Sequence, residues 1–202
     1  MEKGLPIFEI LIDENENAFV DAIALVDRPA IESDFLAFNK DLNDLKFETD
    51  DERHELIGPA LIPDINIYRK DANGEGYYVS FSKDTIRQIA QIFMKRGFQK
   101  QMNIDHTSTP ADSFVYQSFI VDKQLGVNAP KNQNIPDGSW VVGVKVNDDE
   151  VWNDIKAGKQ KGFSVEGLFK LADKKVKQNN EKEEEDILNL VKEIKTFIKN
   201  KK

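Results

Sequence analysis

The 202-residue sequence contains no cysteine, which excludes disulfides, thiolate zinc sites and cysteine nucleophiles together. Histidine is almost as scarce. His54 and His106 are the only two, and neither sits in a His-x-x-x-His or Glu-x-x-His spacing. Neither a metal site nor a cofactor is therefore expected. Cations are outnumbered, with 28 Lys and Arg against 36 Asp and Glu and a net charge of −8. Sequence-independent binding to nucleic acid needs cations to replace phosphate counterions, so nucleic acid is not an expected partner. No apolar run reaches the roughly 20 residues of a membrane span, so a membrane partner is not expected either. The first residues, Met1 to Asp13, carry a short apolar stretch broken by Glu9 with no small-residue cleavage site after it. The expectation is a cytoplasmic protein without a signal peptide.

What is present suits one domain with an appendage. Residues 171–202 hold nine lysines against seven acids, while the first 170 residues carry the whole acidic excess. Body and tail are different materials. Ile7–Ile12 and Phe19–Val26 read as strands, and Pro29 stops the second. The apolar-rich stretch 30–38 follows, and 39–55 reads as a polar, acidic surface loop. Ile65–Arg69 and Tyr77–Phe81 flank an Asn73-Gly74 turn and predict a hairpin. Ile86, Ile89, Ala90 and Phe93 at spacings of three and four predict a helix opened by Ser82 and ended by Gly97. Met102–His106, Phe114–Val121, Trp140–Val146 and Gly162–Phe169 read as strands, and Asp148–Ala157 as a helix stopped at Gly158. The body is therefore expected to be strand-rich α+β. Residues 171–186 read as a charged linker. Over 187–202, the stripe Ile187, Leu190, Val191, Ile194 and Ile198 predicts an amphipathic helix. Acids before it and lysines along its end complement its dipole.

A serine becomes a nucleophile only beside a base. Ser164, in Lys161-Gly-Phe-Ser-Val-Glu-Gly167, is the candidate serine, although the segment lacks the Gly-x-Ser-x-Gly elbow. Spacing alone leaves Ser164 a plain strand serine and His106 a structural histidine. His106 is the better base, because His54 lies in the acidic loop. Glu166 shares the Ser164 face about 7 Å along the strand and is the candidate third member. Asp105 points to the other face unless the chain bends. Lys161 and Lys170 offer a Ser-Lys alternative. Asp148, Asp149 and Glu150 read as a helix start, and Trp140 and Trp152 as packing aromatics.

An ordered series of segments carries a resemblance. These are Gly58-Pro-Ala-Leu-Ile-Pro63, Tyr77-Tyr-Val-Ser-Phe-Ser82 with its helix, Asn103-Ile-Asp-His106, Ser118-Phe-Ile-Val-Asp122, Gly138–Val146 and Lys161–Gly167, with Val20–Ile31 in front. Over most of residues 5–170 the sequence resembles the XkdF-type serine protease domain of tailed phages. That group looks like a branch of the prohead proteases, related in fold to herpesvirus assemblins. The resemblance implies an antiparallel β-barrel-like core with surrounding helices, and a strand-borne histidine before a strand-borne serine. It implies a serine endopeptidase with catalytic Ser164, His106 and Glu166, residues 1–170 forming the protease domain. The implied partners are the phage scaffold and major capsid proteins, with self-association through the C-terminal helix. The implied place is the immature head in the host cytoplasm, and the tail would be a scaffold-like arm open to self-cleavage. Two other classes compete: an inactive capsid- or scaffold-associated protein that keeps the fold, and a binding module that presents its terminal helix.

Overall fold

Short runs separated by turn residues, most of them rich in apolar side chains, fold as strands. They are β1 (Ile7–Leu11), β2 (Val20–Val26), β3 (Glu48–Asp50), β4 (Glu55–Leu61), β5 (Ile67–Lys70), β6 (Gly76–Ser80), β7 (Met102–Ile104), β8 (Ser113–Ile120), β9 (Trp140–Val146), β10 (Gly162–Gly167) and β11 (Lys170–Asp173). Helix α1 (Lys83–Lys95) follows β6, and α2 (Asp149–Lys156) follows β9. A computed structural model describes residues 5–27, 29, 48–50, 53–131 and 133–173. The stretch 30–38, most of the expected loop at 39–55, the linker beyond 173 and the helix expected over 187–202 lie outside the described residues.

Local chemistry explains the clearest elements. In the β5–β6 hairpin, Asp71 Oδ1 accepts the amides of Asn73 and Glu75 at 2.8 and 2.9 Å, and Gly74 takes φ +86°. That is the positive φ the turn requires. Ser82 caps α1 by accepting the Thr85 amide at 3.3 Å, and the predicted stripe of Ile86, Ile89, Ala90 and Phe93 is buried. Gly97, at φ +78°, turns the chain away from the helix.

The strands form three sheets, ordered β11-β1-β6-β5, β10-β2-β7 and β3-β4-β9-β8. Among the described residues they do not close into the expected antiparallel barrel. Pairs β1–β6 and β2–β7 run parallel, and β7 is only three residues long. Closure needs every edge to find a partner along its length, and β7 ends too soon to offer one. Two local expectations also change. Glu48–Asp50, placed in the acidic loop, pairs antiparallel with β4, because backbone pairing does not require apolar side chains. The last expected strand, 162–169, ends at Gly167 as β10, and a further strand, β11, follows it at Lys170–Asp173.

The sheet that matters for chemistry is β10-β2-β7. Ile23 and Leu25 of β2, Phe163 of β10 and Met102 of β7 are buried in the core with Phe93 and Trp140. By the two-residue period the opposite face carries Ala22, Ala24, Asn103, Ser164 and Glu166.

Candidate active site

Register places the site residues before any side chain is considered. Ser164 lies opposite Ala24, and Ala24 opposite Asn103, so one row crosses all three strands. Glu166 lies opposite Ala22. Directly opposite residues share a face, and the two alanines leave the central strand uncovered by bulk. The Glu166 side chain crosses that gap. Its Oε1 accepts the Asn103 side-chain amide at 2.5 Å and stands 2.8 Å from His106 Nδ1.

That contact fixes the ring's proton. A carboxylate can only accept, so His106 Nδ1 is the donor, and in the neutral ring Nε2 keeps its lone pair. Nε2 has no hydrogen-bond partner among the described residues. The His106 and Glu166 side chains are 42% and 32% exposed, so the pair is reachable from solvent.

His106 is not borne on a strand, as the resemblance had implied. β7 ends at Ile104, and Asp105 and His106 both take left-handed backbone at φ +49° and +56°. Asp and His tolerate that region better than most residues. Local bonds hold the turn: the Asp105 amide donates to Leu25 O at 2.9 Å, and Asp105 Oδ1 accepts the Asp27 amide at 3.1 Å. Thr107 Oγ1 donates to Ile104 O at 2.7 Å. The bend that an Asp105–His106 contact would need is thus present, yet the Asp105 carboxylate bonds the amide of Asp27, just past β2, and not the ring.

Ser164 is 7% exposed. Its Oγ makes no hydrogen bond among the described residues, to His106 or to any other. It lies two residues before Glu166 on the same strand face, in the wall of a largely apolar cavity of about 230 Å³. The fold therefore joins His106 to Glu166 and sets Ser164 beside them without a direct bond. Asn103 is the site residue that sequence reasoning missed as a functional group. It lies three positions before His106, but its reach to Glu166 depends on the parallel β2–β7 pairing, which no local pattern announces.

The other candidates are engaged elsewhere. Lys161 Nζ is 2.5 Å from Asp27 Oδ1, and Lys170 Nζ lies 3.1 Å from Asp13 and 2.6 Å from Glu16. Those acids raise the Lys170 pKa, which unsuits it as a base. Asp148 caps α2 by accepting the amides of Glu150 and Val151 at 2.7 and 3.1 Å. Trp140 is fully buried, with Nε1 donating to Ser118 Oγ at 2.9 Å. Trp152 is buried and stacks on His54 at 4.8 Å. Among the described residues no three His, Asp or Glu side chains converge to hold a metal ion, and no helix is long and apolar enough to cross a membrane.

A family model described as "Putative phage serine protease XkdF" matches residues 46–173. The Phage-like element PBSX protein XkdF of Bacillus subtilis (strain 168) is 26% identical over 202 residues, which cover 86% of this chain and 68% of that protein. The Uncharacterized protein YqbD of the same strain is 25% identical over 186 residues, covering 87% of this chain and 53% of that protein. The chain thus spans about two thirds of one relative and about half of the other. No solved structure matches. Asn103, His106, Ser164 and Glu166 all fall inside the matched span, and the chain belongs to the phage XkdF serine protease family.

Proposed function

We propose that the chain is a serine endopeptidase that cleaves scaffold and capsid proteins, and itself, during phage head maturation, acting inside the immature head in the host cytoplasm. The observation that carries this reading is the 2.8 Å contact between His106 Nδ1 and Glu166 Oε1, made by the strand that also bears Ser164. Carboxylate on Nδ1 and an open Nε2 is the arrangement a general base needs. Ser164 Oγ attacks the scissile carbonyl, His106 Nε2 takes its proton and returns it to the leaving amine, and Glu166 stabilises the imidazolium. Asn103 holds the carboxylate in line. The Oγ–Nε2 bond forms as substrate enters, since such bonds commonly tighten only in the complex.

Expressed with its own capsid and scaffold proteins, the wild-type chain yields shortened products, and Ser164→Ala leaves them full length. His106→Ala matches Ser164→Ala, because members of one catalytic unit fail together. Identical full-length bands for all three sink the reading.

The missing Ser164–His106 bond favours a second reading, an inactive capsid- or scaffold-associated protein that keeps the protease fold. A fluorophosphonate probe separates the two. Labelling that disappears in Ser164→Ala supports the enzyme; an unlabelled wild-type chain supports the structural protein.

A further inference from the structure

Ser164 forms part of the wall of a cavity whose other side is the inner face of the β11-β1-β6-β5 sheet. Ile67 faces Val79 across β5 and β6, and Arg69 faces Tyr77; these four residues line the cavity with Ile10 and Phe81. Apolar surface continues out of its mouth. Leu168 and Leu171 also line it and are 70% and 47% exposed, an expensive display unless something covers it. Arg69 is the single charged residue in the lining. Its guanidinium donates only to the Tyr68 carbonyl, at 2.9 Å, and pairs with no carboxylate among the described residues. The residue is exposed, and partial burial of its guanidinium lowers its pKa.

We infer that this cavity is the side-chain pocket of the protease, taking a large apolar residue of an extended substrate peptide while Arg69 pairs with a neighbouring acidic residue. The inference rests on Ser164 being the nucleophile, because only then does a cavity in the serine's own wall sit where residues next to the scissile bond must lie. The volume suits one Leu, Met or Phe side chain. Apolar walls select by size and burial, and an arginine with no carboxylate partner among the described residues selects a carboxylate by a charge-assisted, bidentate hydrogen bond. The competing explanation is that Arg69 is an inward-pointing charge guarding the edge strand β5 against mispairing. That role would leave no mark on peptide selection.

The test uses the full chain and a proteome-derived peptide library read by mass spectrometry, with Ser164→Ala as blank and p-nitrophenyl acetate hydrolysis reporting the nucleophile independently of the pocket. Expected are Ser164-dependent cuts enriched for Leu, Ile, Met or Phe at one position near the bond, with Asp or Glu one or two residues away. For a peptide drawn from that set, replacing its Glu by Gln lowers kcat/KM about tenfold in the wild-type chain. Arg69→Gln erases that ratio, and Arg69→Glu transfers the preference to Lys; Arg69 is exposed, so both variants keep the fold. Leu168→Asp weakens cleavage chiefly through KM. Ser164-dependent cuts without this enrichment, or an unchanged Glu to Gln ratio in Arg69→Gln, overturn the pocket assignment and leave the protease reading standing. Cuts confined to the chain's own residues 174–202 overturn the assignment to a substrate in trans. Absence of both peptide cleavage and ester hydrolysis overturns the protease reading and the pocket with it.

Discussion

Glu166 gathers two donors on one oxygen, and each donor predicts a different kinetic signature. Glu166→Gln keeps the size of the side chain but replaces an acceptor-only group with one that can also donate, so His106 is no longer held in one tautomer. A loss in kcat of roughly 10²–10⁴-fold with little change in KM is expected, measured on a peptide cut by the wild-type chain. Asn103→Ala removes a charge-assisted bond without touching the reacting atoms, and a loss of about tenfold in kcat is expected. Asn103 acts as a positioning residue, so Asn103→Gln should recover part of the loss, whereas a purely structural role would show up as lowered thermal stability with kcat unchanged. The His106–Glu166 contact was within reach of the sequence, because two histidines leave few pairings and Glu166 shares the strand phase of Ser164, whereas Ser164 itself was singled out by the family resemblance and not by spacing. Asn103 was not within reach, because its contact arises from a register between segments about eighty positions apart.

Elements differ in how much of their placement is local. Helix α1 was legible because cap, stripe and terminal glycine all lie within sixteen positions. The β5–β6 hairpin was legible because one Asn-Gly turn sets both strands. The parallel pairs β1–β6 and β2–β7 were not, since alternation identifies a strand but never its neighbour. Strand β10 carries an irregularity of the same non-local kind: its register with β2 shifts between Glu166 and Gly167. A Cβ on Gly167 would lie 2.1 Å from the Phe19 carbonyl oxygen, and backbone cannot yield as a side chain can. Gly167→Ala is expected to cost about 1–3 kcal/mol, read as a lower denaturation midpoint, and to disturb Glu166 one residue away. Strand β11 is docked by Lys170 between Asp13 and Glu16. The hydrogen bond from Lys170 holds the Asp13 pKa below its ordinary value of 3.8. A lowered carboxylate pKa stabilises the folded state above the unfolded value and loses that effect as pH falls through the folded one. Acid below about pH 3.8 should therefore loosen β11 in the wild-type chain, while Lys170→Ala removes this part of the pH dependence. Hydrogen exchange of the Leu171 and Ala172 amides against pH measures it.

At the scale of the whole molecule, the site is held by a strand outside the span that defines the family. Strands β1 and β2 precede residue 46, yet β2 lies between β10 and β7 and contributes Ile23 and Leu25 to the core. A chain that begins at residue 46 keeps Asn103, His106, Ser164 and Glu166 and loses the strand that spaces them. It is expected to show no cooperative thermal transition and no peptide cleavage, and supplying residues 1–45 as a separate peptide should restore part of both. Calorimetry with and without the peptide gives the answer. The three-sheet arrangement itself was beyond the sequence, because it follows from which edges are left unpaired after all strands have chosen partners.

The same central strand gives the molecule a timetable. At the ribosome β2 is finished early, but neither neighbour exists until residues 102–104 and then 162–167 have been added. With synthesis at about 5–20 residues per second, β2 waits on the order of ten seconds for its last partner. The serine and its glutamate arrive together on that partner, so the candidate site is incomplete until that strand has been added. The first strands, for their part, depend on staying out of other associations until β10 and β11 come back to pair with them.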